Sequence, residues 1–376
     1  MKHIAIVLGT RPEAIKLLPV FVELRARKGL KTTLITTGQH RELVLDVFQT
    51  FGCSPDITLD VMLPNQTLAG LTARVLAALD EALPADTDVV MVQGDTASAF
   101  VGSLLAFYRG IPCAHVEAGL RSGDIMAPFP EEFNRCAVSL TARWNFAPTY
   151  TAAANLEAEN VRGAVHVVGN TSIDAALSIT SKGLAPSELL SGAVPELADS
   201  KRSMALVTAH RRENFGNGIR SIISAVHQLA ARRPDLLFLW PVHPNPNVHD
   251  IIHQELAGRE NIRLLEPLNY SDLLYVMQRA FIALSDSGGI QEEAPSFACP
   301  VLVLRENTER PEAIAAGCNV LVGTNTAKII KTFETIADDC DLRRRMTEVA
   351  NPYGDGTASK QIANILLAAD SAQEFL

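Results

Sequence analysis

Carboxylates, guanidinium groups and imidazoles gather in this chain where an apolar run gives way to glycine or a turn. In the first half these are Arg11, Lys16, Asp95, Glu117, Arg121, Glu131, Glu132 and Arg135; in the second, His210, Arg211, Arg212, His243, Glu293 and Arg310. Each alone has a plain structural explanation. Arg11 and Arg121 suit solvated loops, Glu131 and Glu132 suit a helix opened after Pro130, and Asp95 suits the N-cap of a helix starting near Ala97. Taken together they form a pattern: several carboxylates in one half, Arg and His groups in the other. That division suggests acid–base chemistry facing a clamp for a diphosphate.

The clamp is clearest in residues 284–295, LSDSGGIQEEAP. They read as the end of a buried strand, a Gly-Gly turn, and a helix opening at Ile290. Ser287, Gly288 and Gly289 could then offer bare backbone N–H groups at a helix N-terminus, a ready site for phosphate. Glu292 and Glu293 would lie in the first helical turn, where a carboxylate suits the helix dipole or a ribose diol. A Gly-rich αβ turn with a charged cap is the simpler reading of this segment alone.

Parallel α/β sheets put such loops in place. The run 4–8 closes on Gly9-Thr10-Arg11-Pro12, and Pro12 pre-sets a helix. The same strand, turn and helix cycle recurs at 32–36, 89–92, 112–116 and 144–147, with helices over 68–83 and 97–108. After a pause near 165–170 and a helix-poor stretch around 181–203, it restarts at 204–208, 236–241, 262–265, 281–284 and 301–304. The expected fold class is therefore α/β: two Rossmann-like doubly wound domains facing across a cleft, with ligands outside the carboxyl ends of the strands. The expected domains are 1–168 with the carboxylates, 169–356, and a C-terminal helix in 357–376 packing back on the first. GxGxxG and Walker A patterns are missing, so no nicotinamide or other cofactor is indicated.

The 376 residues favour two domains, and 47% hydrophobic with 20% charged residues describe a globular chain. A net charge of −9 argues against general nucleic-acid binding. The six cysteines are scattered without a CxxC pair and read as free thiols of a reducing cytoplasm. The apolar runs are too short to span a bilayer or to make a signal peptide. His243, His249 and His253 are too irregularly spaced for a metal site.

The ordered segments GTRPEAIK (9–16), TGQHRE (37–42), VQGDTAS (92–98), HVEAGLRS (115–122), PFPEEFNR (128–135), VTAHRREN (207–214), PVHPNP (241–246), SDSGGIQEEAP (285–295) and ENTERPEA (306–313) cover nearly the whole chain. Through them it resembles the non-hydrolysing UDP-N-acetylglucosamine 2-epimerases, which are GT-B-like and often homodimeric. The resemblance implies reversible C2 epimerisation of UDP-GlcNAc and UDP-ManNAc for cell-surface polysaccharide. The C2 hydrogen is not acidic, and the family solves this by eliminating UDP to give 2-acetamidoglucal, then adding it back.

By the same resemblance, Asp95, Glu117 and Glu131 are the acid–base carboxylates, with Asp95 and Glu117 the favoured pair at C2. Arg135 positions them, and Arg11 and Lys16 touch substrate. His210 faces the reacting centre or departing phosphate, with Arg212 and His243 nearby. Ser287, Gly288 and Gly289 hold the diphosphate on N–H groups, Glu293 the ribose, and Arg310 the phosphate end or hinge. Leu268 and Leu273 seat the uracil. An activating second UDP-GlcNAc would use Gln39, His40 and Arg74, although Asp46 stands where the family has glutamine. The alternatives are the hydrolysing sister group, an epimerase of a UDP-diacetamido-uronic acid, a GT-B glycosyltransferase and a nucleotide-sugar sensor.

Overall fold

Strand-forming apolar runs alternate with helices along the whole chain, and each run becomes a parallel strand. The structure, a computed structural model, describes residues 1–39, 41–63, 66–199 and 202–369. Among these residues the first sheet contains β1 (Lys2–Leu8), β2 (Leu30–Thr36), β3 (Ile57–Thr58), β4 (Val89–Gln93), β5 (Cys113–Val116), β6 (Ala142–Ala147) and β7 (Ala164–Val167). Its order is β3-β2-β1-β4-β5-β6-β7, so the order reverses between β1 and β4. The second contains β8 (Met204–Thr208), β9 (Leu237–Pro241), β10 (Ile262–Leu265), β11 (Ala280–Ser285), β12 (Val301–Val303) and β13 (Asn319–Leu321). Its order β10-β9-β8-β11-β12-β13 reverses between β8 and β11. Strands buried on both faces explain the near-continuous apolar runs: Ile4, Ala5, Ile6, Val7 and Leu8 are all fully buried.

Two compact units result, Met1–Ser178 with the chain from Tyr353 onward, and Ile179–Pro352. The boundary expected at 168/169 therefore lies ten residues later. The pause at 165–170 marks the last strand of the first sheet, not the end of the first unit. Helix Thr171–Thr180 keeps its contacts there: Asp174 accepts from the Ser359 N–H at 2.7 Å, and Gly356 sits against Leu177. Helix Ala358–Ala368 buries Ile362, Ala363 and Leu366 in one core with Leu17, Val20 and Leu24.

The stretch around 181–203 is less irregular than its Gly, Pro and Ser content suggests. It holds a helix, Glu188–Ala193, and a 3₁₀ turn, Pro195–Ala198. Ser187 starts the helix by accepting from the Leu190 N–H, while its own N–H and hydroxyl donate to the two Asp272 oxygens at 2.8 and 2.6 Å. The glycine-rich helix also differs. It runs Gly288–Glu293 with Ser287 at the N-cap, two residues earlier than expected, so Glu292 and Glu293 close it and do not face its dipole.

Candidate active site

At the first order reversal, the loops after β1 and β4 are joined by one carboxylate. Glu13 is fully buried and accepts from the N–H groups of Gly9 and Thr10 at 3.0 and 2.7 Å, and from the Thr10 hydroxyl at 2.8 Å. Its other oxygen accepts from the Thr96 hydroxyl at 2.6 Å. Burial pushes the carboxyl up from its usual range, and these bonds pull it back. Thr96, not Asp95, caps helix Ala97–Tyr108, accepting from the Ala99 N–H. Asp95 is thereby left for the site. Glu13 itself went unassigned in the sequence, although Thr10-x-x-Glu13 carries the capping-box pattern.

Asp95 is held from helix Glu131–Thr141. The Arg135 guanidinium pairs with its carboxylate and lies 3.3 Å from Glu132, and the Asn134 amide donates to the Asp95 carbonyl at 2.8 Å. Glu117, just past β5, pairs with Lys16 and adopts a left-handed backbone, φ 63°, unusual for a side chain of this size. The two PEE glutamates divide sharply. Glu132 is buried and accepts from the Ser122 and Gly123 N–H groups, whereas the carboxylate of half-buried Glu131 makes no hydrogen bond or ion pair among the described residues. Arg11 opens helix Arg11–Arg25, half-buried. Arg121 is spent on Glu159, with two contacts of 2.7 Å. His115, fully buried, bonds the Gly94 carbonyl through Nε2 at 2.9 Å, and burial pulls it down from the ordinary 6.5 to about 4.

In the second unit the loop after β8 folds around Asp286, at the end of β11. One Asp286 oxygen accepts from the N–H groups of His210 and Arg211 at 2.9 and 2.8 Å and from the Asn214 amide at 2.9 Å. The His210 ring stacks on His243, centroids 5.4 Å apart and 11° from parallel. Burial depresses the His210 pKa; Asp286 opposes the shift, and Arg211 and His243 add to it. His210, His243, Leu268, Leu273 and Ser287 line one pocket of about 150 Å³, together with Pro241, Val242 and Ile290. Arg212 is exposed in the turn Arg212–Asn214, and it is absent from that lining.

The glycine loop needs one correction. The Ser287 N–H donates to Ser285 Oγ at 3.0 Å, so the N–H groups left for an anion are those of Gly288 and Gly289, in the first helical turn. Arg310 lies on this loop: a Cβ on Gly288 would come within 2.7 Å of its Cζ, so any larger residue would have to displace the guanidinium or the loop. Glu292 and Glu309 hold Arg310 at 2.7 and 2.8 Å, and buried Glu293 accepts from the Tyr270 hydroxyl at 3.2 Å.

Of the expected activator contacts, His40 lies outside the described residues. Gln39 accepts from the Ser98 hydroxyl at 3.4 Å. Arg74 is committed to the chain itself, donating to the Val61 carbonyl at 3.0 Å and pairing with Gln66. Among the described residues no group of three or more His, Cys, Asp or Glu could hold a metal ion, and no helix is long and apolar enough to cross a membrane.

Two doubly wound parallel units, each with polar groups at its order reversal, place the chain in the GT-B-like class of α/β proteins. The profile of the UDP-N-acetylglucosamine 2-epimerase family matches residues 22–367. The UDP-N-acetylglucosamine 2-epimerase of Neisseria meningitidis is 43% identical over 96% of this chain and 98% of its own. The structure of the Neisseria meningitidis enzyme bound to UDP-GlcNAc superposes with a TM-score of 0.89 at 42% identity, covering 98% and 100% of the two chains. That of the Methanocaldococcus jannaschii enzyme with UDP-GlcNAc and UDP gives 0.81 at 32% identity, covering 98% and 100%. The chain belongs to the UDP-N-acetylglucosamine 2-epimerase family, and it is an isomerase.

Proposed function

We propose that this chain interconverts UDP-GlcNAc and UDP-ManNAc without hydrolysing them, by eliminating UDP from C1 and adding it back. The observation that carries this is the placement of Asp95 and Glu117, each beside a cation, at the carboxyl ends of neighbouring strands β4 and β5 in a member of the family. In this reading the carboxylates, Asp95 and Glu117 first and Glu131 second, remove the C2 proton and return one from the opposite face. Arg135 orients Asp95, Lys16 orients Glu117, and Arg11 contacts the substrate.

The second unit holds the leaving group. Gly288 and Gly289 donate N–H groups to the diphosphate, with the Ser287 hydroxyl and Arg310 beside them. Leu268 and Leu273 seat the uracil, Glu293 the ribose, and His210 acts at the departing phosphate with Arg212 and His243 nearby. UDP-GlcNAc binding to the relatives of Neisseria meningitidis and Methanocaldococcus jannaschii supports the same substrate here. The reading includes a cytoplasmic role in supplying cell-surface polysaccharide, consistent with six free cysteines. It also includes a homodimer, for which the exposed Phe107, Tyr108 and Leu140 on two packed helices offer a surface. A UDP-GlcNAc activator would rest on Gln39 and His40, since Arg74 is engaged elsewhere.

Proton NMR of the chain with UDP-GlcNAc in D₂O tests the reaction. UDP-ManNAc should appear, with deuterium at C2 of both sugars. Free ManNAc and UDP would sink the non-hydrolysing reading, and an inert mixture would favour the uronic acid substrate.

A further inference from the structure

Asp286 uses its two oxygens very differently. It is fully buried, and Oδ2 collects the three hydrogen bonds that fold the 210–214 loop. Oδ1 is buried with no hydrogen bond, and it lies 3.3 Å from His210 Nδ1. A buried carboxylate oxygen is costly without a donor. His210 is the titratable group set against it, and a proton on Nδ1 is favoured over a lone pair there, which the carboxylate would repel. Protonated Nδ1 leaves Nε2, across the ring, as the acceptor of a residue that lines the pocket.

His243 supplies the complement. Its Nδ1 accepts the Asn245 N–H at 3.1 Å, so its neutral ring carries the proton on Nε2. The two stacked imidazoles therefore hold opposite tautomers. The charged or titrating groups facing His210 are Asp286, Arg211 and His243; the last two and burial disfavour an imidazolium, and Asp286 favours it.

We propose that Asp286 is a positioning residue that fixes His210 in the Nδ1–H tautomer, so that Nε2 can take up a proton from solvent, hand it to the departing diphosphate oxygen as its bond to C1 breaks, and take it back when that bond re-forms. The proposal rests on the role given to His210 above. It extends that role to a residue 76 positions away. A proton taken up at Nε2 is stabilised by the carboxylate beside Nδ1.

Long-range ¹⁵N NMR of the full chain labelled at histidine, with His210 assigned through His210→Gln, reads the tautomer directly. The expected result is Nδ1–H in the unaltered protein. In Asp286→Asn the amide oxygen can keep the three loop bonds while the amide N–H₂ faces Nδ1, so the tautomer should flip to Nε2–H. Turnover should then fall about 10²-fold or more with KM little changed. The limb of the pH–rate profile set by His210 should move to lower pH. An Nε2–H tautomer in the unaltered protein overturns the inference even if the variant does not fold, and so does an unflipped ring in a folded variant. Undiminished epimerisation by His210→Gln overturns the underlying role of His210 instead, and that result is read separately from the tautomer.

Discussion

Lys16, in the second turn after β1, and Glu117, just past β5, form an ion pair whose side chains are only 11% and 10% exposed. Removing one partner of such a pair strands a charge in a poorly solvated place. Lys16→Met should therefore lower unfolding free energy by about 3 kcal/mol, read by urea denaturation. The double variant Lys16→Met with Glu117→Gln should regain much of that stability but no turnover. A single variant as stable as the unaltered protein would remove the pair from any structural account.

Glu131 and Glu132 are neighbours with opposite commitments, and substitution should separate them. Glu131→Gln should keep the melting temperature and lose turnover about 10²- to 10⁴-fold. Glu132→Gln weakens the hold on Arg135 and on the Ser122–Gly123 backbone, and should destabilise by about 1–3 kcal/mol. Calorimetry with steady-state kinetics on both variants decides, and the reverse pattern would exchange their roles.

Gly288→Ala sets a methyl against the Arg310 guanidinium, 2.9 Å from Nε. Either Arg310 or the loop must move, at about 1–3 kcal/mol, and UDP affinity should fall tenfold or more. Titration calorimetry with UDP reads this. Unchanged affinity would mean that Arg310 and the Gly288 N–H contribute nothing to diphosphate binding.

His115 predicts a pH dependence of stability. Its folded pKa, about 4, lies below the ordinary 6.5, so between these values the unfolded chain binds a proton that the folded chain refuses. Its contribution is thus intact above pH 6.5 and declines as pH falls, by about 1.4 kcal/mol per unit, levelling off below about pH 4. Glu13 and Asp174, both raised by burial, act in the opposite sense: the folded chain keeps their protons longer, so what they contribute is lost as pH rises through their folded values. The unaltered protein minus His115→Gln isolates the histidine. Parallel stability curves for the two would refute its burial in the neutral form.

Local pattern reached most of the fold and only part of the site. Helix Ala97–Tyr108 and strand Met204–Thr208 were legible to the residue because their apolar runs end in strong turn or cap residues. Strands Ile57–Thr58 and Asn319–Leu321 are too short to show a period, and their pairing depends on neighbours already in place. The carboxylates and cations were visible by type, but Glu13 and Asp286 were not singled out. Their work is done on Thr96 and His210, at separations of 83 and 76 residues, and no local spacing records such contacts.

The return of the chain to its first unit has a consequence for synthesis. The second unit is one unbroken segment, Ile179–Pro352, and all of it is synthesised before the helix Ala358–Ala368. The first unit, although translated first, lacks Ile362, Ala363 and Leu366 until residues 358–368 emerge, and these sit against Leu17, Val20 and Leu24. A chain released near Pro352 would thus carry a complete second unit and a first unit whose core is still open along one helix. Domains commonly fold in the order of their synthesis; here the order of completion is the reverse.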